Sequence, residues 1–277
     1  LYENLENKVK ERTSELHHQK EIVEEKNKEI MDSINYAKRI QYALLAHDEL
    51  LQKNLPDHFV LFLPKDVVSG DFYWASERNL NQHEKEFFLA VCDSTGHGVP
   101  GAFMSLLNIS FLNESINEKK IASPGGILDH TRLRLIENIS QQGQKDGMDG
   151  ILVRWSNNSI SYAAAHNSPV LVRNGECIEL DTDKMPIGMS DRMDAFRNFE
   201  PELQTGDMLY LFTDGYADQF GGPKGKKFKY SNLNKLLIEI AGLSTTLQKE
   251  KLQNTIEEWR GDLEQVDDIC VIGIRIP

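Results

Sequence analysis

Residues 1–52 contain no glycine and no proline, so nothing in them turns the chain or interrupts a helix. Cysteine is scarce throughout. Cys92, Cys177 and Cys270 are widely spaced and offer neither a disulfide framework nor a zinc knuckle. No apolar run approaches the ~20 residues that a membrane helix needs, and no signal-peptide pattern opens the chain. Basic residues are outnumbered, 31 Lys+Arg against 43 Asp+Glu, for a net charge of −12. That balance argues against nucleic acid or an anionic membrane as the main partner, since phosphate backbones need a Lys/Arg patch. What is present, over 277 residues at 40% hydrophobic and 27% charged, is the composition of a soluble, cytoplasmic segment of one or two folded domains. The chain opens mid-pattern at Leu1, which reads as a fragment with an upstream part missing.

The segment 1–52 reads as one long helix. An apolar row recurs every seven residues at Val9, Leu16, Val23, Ile30, Ala37 and Leu44, whereas the companion row at Leu5, Arg12, Gln19, Lys26, Ser33 and Ile40 is mostly polar. One good row and one polar row make a weak coiled-coil seam, suited to a dimerising signalling helix. Apolar density rises from Ile34, so this end is expected to pack on the domain C-terminal to it, and Pro56 is expected to stop the helix.

From residue 55 to 277 the texture becomes short apolar runs broken by Gly, Pro and Asn. Strands are predicted at 58–63, 69–75, 86–92, 148–155, 159–165, 169–173, 176–180, 207–213 and 268–276. Asn157-Asn158 and Asn174-Gly175 are expected to be hairpin turns. Helices are predicted at 100–118, 126–141, 231–241 and 245–260. Strands adjoin strands and helices come in pairs, which favours an α+β fold of antiparallel sheets with helices packed outside.

The chemical signal is an aspartate placed repeatedly at the end of an apolar strand: Asp71 in VVSGDFYW, Asp93 after FFLAVC, Asp214 after MLYLFT, and Asp267-Asp268 before ICVIGI. One such Asp is ordinarily a turn former or helix cap. Four together point elsewhere, because converging carboxylates raise one another's pKa unless a cation sits among them. Oxygen-only ligands select hard ions such as Mg²⁺ or Mn²⁺, and a pair of these can activate water and clamp a phosphoryl group.

SGDFYW, VCDSTGHGVPGAFMS, LFTDGYAD and DDICVI, in this order and spacing, resemble the motifs of the metal-dependent PPM (protein phosphatase 2C-like) serine/threonine phosphatases, most closely the bacterial SpoIIE-type branch. The resemblance implies an αββα sandwich over 55–277 with a binuclear Mn²⁺/Mg²⁺ centre at one edge. Carried over, Asp71, Asp93, the Ser94 carbonyl, Asp214 and Asp267 would be the metal ligands, with Asp268 as second choice for the last. A metal-activated water would attack the phosphorus of phosphoserine or phosphothreonine in line, with no phospho-enzyme, and the chain has no Cys-x5-Arg loop to form one. Relatives of this type imply a phosphorylated anti-sigma-factor antagonist as substrate. SINYAKRIQYALL looks like the linker of sensor-coupled members, which implies a homodimer through the N-terminal helix and an upstream sensor. The eukaryotic relatives' His two residues after the second-motif Asp is Thr95 here, so His97 is not assigned as general acid. No counterpart of their phosphate-binding Arg is evident. Lys65 is a weak candidate cation, His166 reads as a turn residue, and Asp218 as a loop hydrogen-bond partner. The competing readings are a pseudophosphatase that binds a partner without turnover, or a nucleotide cyclase on the same kind of signalling helix; the latter's GG[DE]EF hairpin is absent.

Overall fold

The computed structural model describes residues 2–81, 84–139, 145–156 and 159–277, in two compact units, 1–40 and 41–277. The first consists of helix α1 (Tyr2–Leu44) up to residue 40. At 1.5 Å per residue α1 is roughly 65 Å long. Its heptad row is open to solvent, with Val9, Leu16, Val23 and Ile30 all more than half exposed. No described helix is long and apolar enough to cross a membrane.

The second unit starts with the last turn of α1. The helix expected to run to residue 52 breaks at 45–47 and resumes as α2 (Asp48–Asn54). The reason is packing. Leu45 and Ala46 are both buried, but in different cores, and the Ala46 N–H donates to the Tyr73 carbonyl at 3.2 Å. An extended link lets neighbouring residues face two layers, which a continuing helix does not.

The domain is built on two antiparallel sheets. One has the order β1 (His58–Leu63), β12 (Ile269–Arg275), β9 (Met208–Phe212), β6 (Val170–Arg173), β7 (Glu176–Glu179). The other has β2 (Asp71–Asn79), β3 (Lys85–Ser94), β4 (Gly147–Ser156) and β5 (Ser159–Ala165), with the short β8 (Ile187–Gly188) also on β4. Between β6 and β7 the predicted Asn174-Gly175 turn has positive φ at both residues (52° and 79°), as a type I′ hairpin requires. The Asn157-Asn158 turn lies outside the described residues.

Helices α3 (Gly98–Asn113, prolonged by a π turn over Glu114–Glu118) and α4 (Pro124–Asn138) cover the second sheet, and α6 (Tyr230–Ile240) and α7 (Thr245–Arg260) cover the first. Strand alternation builds the layers. In β3, Phe88, Ala90 and Cys92 face α3 and α4, whereas Phe87, Leu89 and Val91 fill the space between the sheets. In β9, Leu209 and Leu211 enter that same inner core while Met208, Tyr210 and Phe212 face α6 and α7. Both faces are covered, which is why these strands read as continuous apolar runs. The result is the αββα sandwich expected.

Four short elements were not anticipated: β8, α5 (Gly215–Asp218), β10 (Phe220–Gly221) and β11 (Lys226–Lys227). β2 begins at Asp71, two residues later than predicted, because Ser69 is bound instead by a side chain. Gln41, fully buried, donates to the Ser69 carbonyl (2.5 Å) and the Ser105 hydroxyl (2.8 Å), and accepts from the Ser69 N–H (3.1 Å).

Candidate active site

The aspartates gather where strands of both sheets end. Asp71 opens β2, and Asp93 sits one residue from the end of β3, directly opposite it in the ladder. On the other side of Asp93, opposite it on β4, stands Asp149, a residue that the motifs did not single out. The first sheet contributes Asp214, just after β9 at the head of α5, and Asp267-Asp268, just before β12. Thr213 ties the two sheets together: its hydroxyl donates to Asp71 Oδ2 at 2.6 Å and accepts from the Cys270 N–H at 3.0 Å.

Close backbone packing shapes the loop after Asp93. A Cβ on Gly70 would lie 2.2 Å from the Gly96 carbonyl oxygen, and one on Gly101 would lie 2.1 Å from the same atom. Only glycine permits this stacking. It sets the Asp93–Gly98 loop, with positive φ at Gly96 and Gly98, against the entry of β2. Ser94 is buried in that loop, its hydroxyl accepting from Asn108 Nδ2 at 2.9 Å.

The carboxylates are electrostatically strained. Burial, then the Asp93 charge, holds the Asp71 carboxyl well above the usual range, against the opposing effect of the hydrogen bond from Thr213. Burial, followed by the charges of Asp214 and Asp267, pushes Asp93 up to about 8. Burial and then Asp267 push Asp214 to about 6. Asp267 is raised mainly by its own burial. Among the described residues none of these four makes a salt bridge.

Asp267 and Asp268 have divided tasks. Asp268 is 2% exposed, and its two oxygens accept the backbone N–H groups of Lys65 (2.7 Å) and Gly70 (2.8 Å). Asp267 instead lines a cleft of about 270 Å³, together with Asp93, Ser94, His97, Asp149 and His166. A larger open depression of about 1010 Å³, beside α2 and β1, has Asp48 and Glu49 on its wall but none of these aspartates.

The remaining candidates find ordinary partners. Asp218 pairs with Lys227 (2.7 Å). Lys65 lies 3.4 Å from His97 Nε2, whose Nδ1 meets Asp66 at 2.9 Å. His166 is a turn residue, with φ of 56°, and its Nδ1 is 2.9 Å from Asp149 Oδ1. Asp149, within GMDGILV, lacks the signal of the others, because it lies inside a strand instead of at its end.

The cleft acids Asp93, Asp149 and Asp267 are oxygen donors, each raised by burial and Asp93 also by its acidic neighbours, which is the environment that a hard divalent cation relieves. They form a row and not a closed cage: among the described residues no three His, Cys, Asp or Glu side chains already enclose a metal position. The fit lies in donor chemistry and unneutralised charge.

The model of the family "Stage II sporulation protein E (SpoIIE)" matches residues 83–277. The chain belongs to the SpoIIE family. It is similar to the SiaA-PP2C domain of Pseudomonas aeruginosa, 32% identical with a TM-score of 0.80, over 91% of this chain and 98% of that one. It is 24% identical to the phosphoserine phosphatase RsbU of Bacillus subtilis (strain 168), over 89% of this chain and 71% of RsbU. The PP2C phosphatase domain with a regulatory-domain fragment of Bacillus subtilis SpoIIE shares the fold, at 21% identity and a TM-score of 0.60, over 79% of this chain and 61% of that structure. The chain thus carries a PP2C-type phosphatase domain of the SpoIIE family, of the metal-dependent protein serine/threonine phosphatase class.

Proposed function

We propose that the domain hydrolyses phosphoserine or phosphothreonine on a regulatory protein of the anti-sigma-factor-antagonist type, using two Mn²⁺ or Mg²⁺ ions. The observation that carries this reading is the facing pair Asp71–Asp93, the first buried, the second half-buried, and neither with a basic partner among the described residues. Asp71, Asp93, Asp214, Asp267 and the Ser94 carbonyl would hold the ions. Asp267 is preferred to Asp268, whose oxygens are engaged by two N–H groups. Bound divalent ions supply Lewis acidity and charge neutralisation at the phosphoryl group, and lower the pKa of water. The chain's own contribution is positional. Thr213 orients Asp71, the glycine stack fixes the loop of Asp93 and Ser94, and Asp268 pins the β2 entry through Gly70.

The weak seam of α1 supports a second part of the reading: two copies pair through residues 2–40 to form a homodimer, receiving input from an upstream sensor in the cytoplasm. Phosphate release from an aryl phosphate with Mn²⁺, with EDTA, and in Asp93→Asn tests the reaction. Activity is expected with metal only, and is lost in the variant. A folded protein that binds Mn²⁺ without turnover would favour the pseudophosphatase reading, and absence of metal binding would overturn the phosphatase reading.

A further inference from the structure

Two histidines line the carboxylate cleft, and their hydrogen bonds give them different capacities. His97 lies between Asp66, 2.9 Å from Nδ1, and the Lys65 ammonium, 3.4 Å from Nε2. An ammonium only donates and a carboxylate only accepts. The Lys65 ammonium therefore faces Nε2, which is not open to a reacting group in the cleft.

His166 is arranged otherwise. Its Nδ1 faces Asp149 Oδ1 at 2.9 Å, while Nε2 has no hydrogen-bond partner among the described residues. Nδ1 carries its proton toward the carboxylate, which leaves Nε2 as the ring position open to a reacting group. The ring is held on both sides. Its backbone has a φ of 56° and donates to the Asp183 carbonyl at 2.9 Å, while Asp149 is fixed in β4 opposite Asp93. His166, Asp149, Asp93 and Asp267 line one cleft.

We propose that His166 is the proton donor to the leaving seryl or threonyl oxygen, and that Asp149 is a positioning residue that orients the ring through Nδ1. This rests on the phosphatase reading above. In the step, a water oxygen bonds to phosphorus and the ester P–O bond breaks, its electron pair passing to the side-chain oxygen. That oxygen takes the proton that Nε2 has drawn from solvent, while Nδ1–H stays hydrogen-bonded to Asp149. The attacking water sheds its proton to solvent, and the imidazole regains one from solvent. An alkoxide is a poor leaving group, so the proton matters for an alkyl phosphate, whereas nitrophenolate leaves without one.

The test compares a phosphoserine peptide with p-nitrophenyl phosphate, both with Mn²⁺, for the wild type, His166→Asn and Asp149→Asn. Asparagine tolerates positive φ and hydrogen-bonds but transfers no proton, and residual nitrophenyl turnover reports folding. Expected is a loss about 10²–10⁴-fold greater on the peptide than on the nitrophenyl ester for His166→Asn, with a smaller bias of the same sign for Asp149→Asn. Equal losses on both substrates, or none on either, would overturn the assignment while leaving the phosphatase reading standing. A wild type that hydrolyses neither would overturn that reading itself, and this one with it.

Discussion

Asp71 and Asp93 occupy directly opposed positions in the β2–β3 ladder, Asp71 buried and Asp93 half-buried, each on its own strand. Two carboxylates so placed cannot both ionise without help, and this has a consequence for stability.

In EDTA the protein should lose stability as pH rises. A carboxyl held above its unfolded value binds more protons in the native state, so its contribution favours folding at low pH and disappears through the folded pKa. With Asp93 raised to about 8, the window runs from about 4 to 8. Melting temperatures in EDTA at pH 5.5 and 8 should differ more for the wild type than for Asp93→Asn, and Mn²⁺ should remove the difference. A wild-type slope equal to the variant's would refute the linkage.

Asp267→Asn and Asp268→Asn should fail differently. Asp267 makes one local hydrogen bond, to the Asp268 N–H, and faces the cleft. Its change should weaken Mn²⁺ binding and activity by at least ~100-fold with little loss of stability. Asp268→Asn puts an amide donor against one of two buried N–H groups and should cost about 1–3 kcal/mol by denaturant unfolding. Matching stabilities for the two variants would contradict this division.

Gly70→Ala should reduce metal affinity before it unfolds the domain, because the new methyl would meet the Gly96 carbonyl oxygen at 2.2 Å and force the Asp93 loop outward. Calorimetry with Mn²⁺ beside a thermal melt separates the two effects. Unchanged affinity would mean that the loop's position is set elsewhere.

A chain cut to 41–277 should keep the fold and become monomeric, while the full chain is dimeric by light scattering. The cut falls before Gln41 and Leu45, which are buried in the domain. Identical oligomeric states would remove residues 2–40 as the pairing element.

The fold was legible because its information is local. Short apolar runs bounded by Gly, Pro and Asn marked every strand of five residues or more, and Asn174-Gly175 marked its own turn. The break at Leu45–Ala46 was not legible, since it arises from two cores that exist only after the sheets stack, and neither residue is a helix breaker. Among the acids, those at strand ends stood out by their change of texture. Asp149 did not, because its importance comes from facing Asp93 from β4 and from His166, seventeen residues on. The split between Asp267 and Asp268 likewise depends on N–H donors some 200 residues away.

Gln41 links the last turn of α1 to Ser69, two residues before Asp71, and to Ser105 on α3, through a single carboxamide. One residue of rotation in that turn is ~100° of azimuth, enough to strand the Ser69 N–H and the Ser69 carbonyl together and to break the bond to the Ser105 hydroxyl. The turn therefore has one permitted setting about its axis, indexed like a key in its slot, and that setting is read at the doorstep of the first carboxylate.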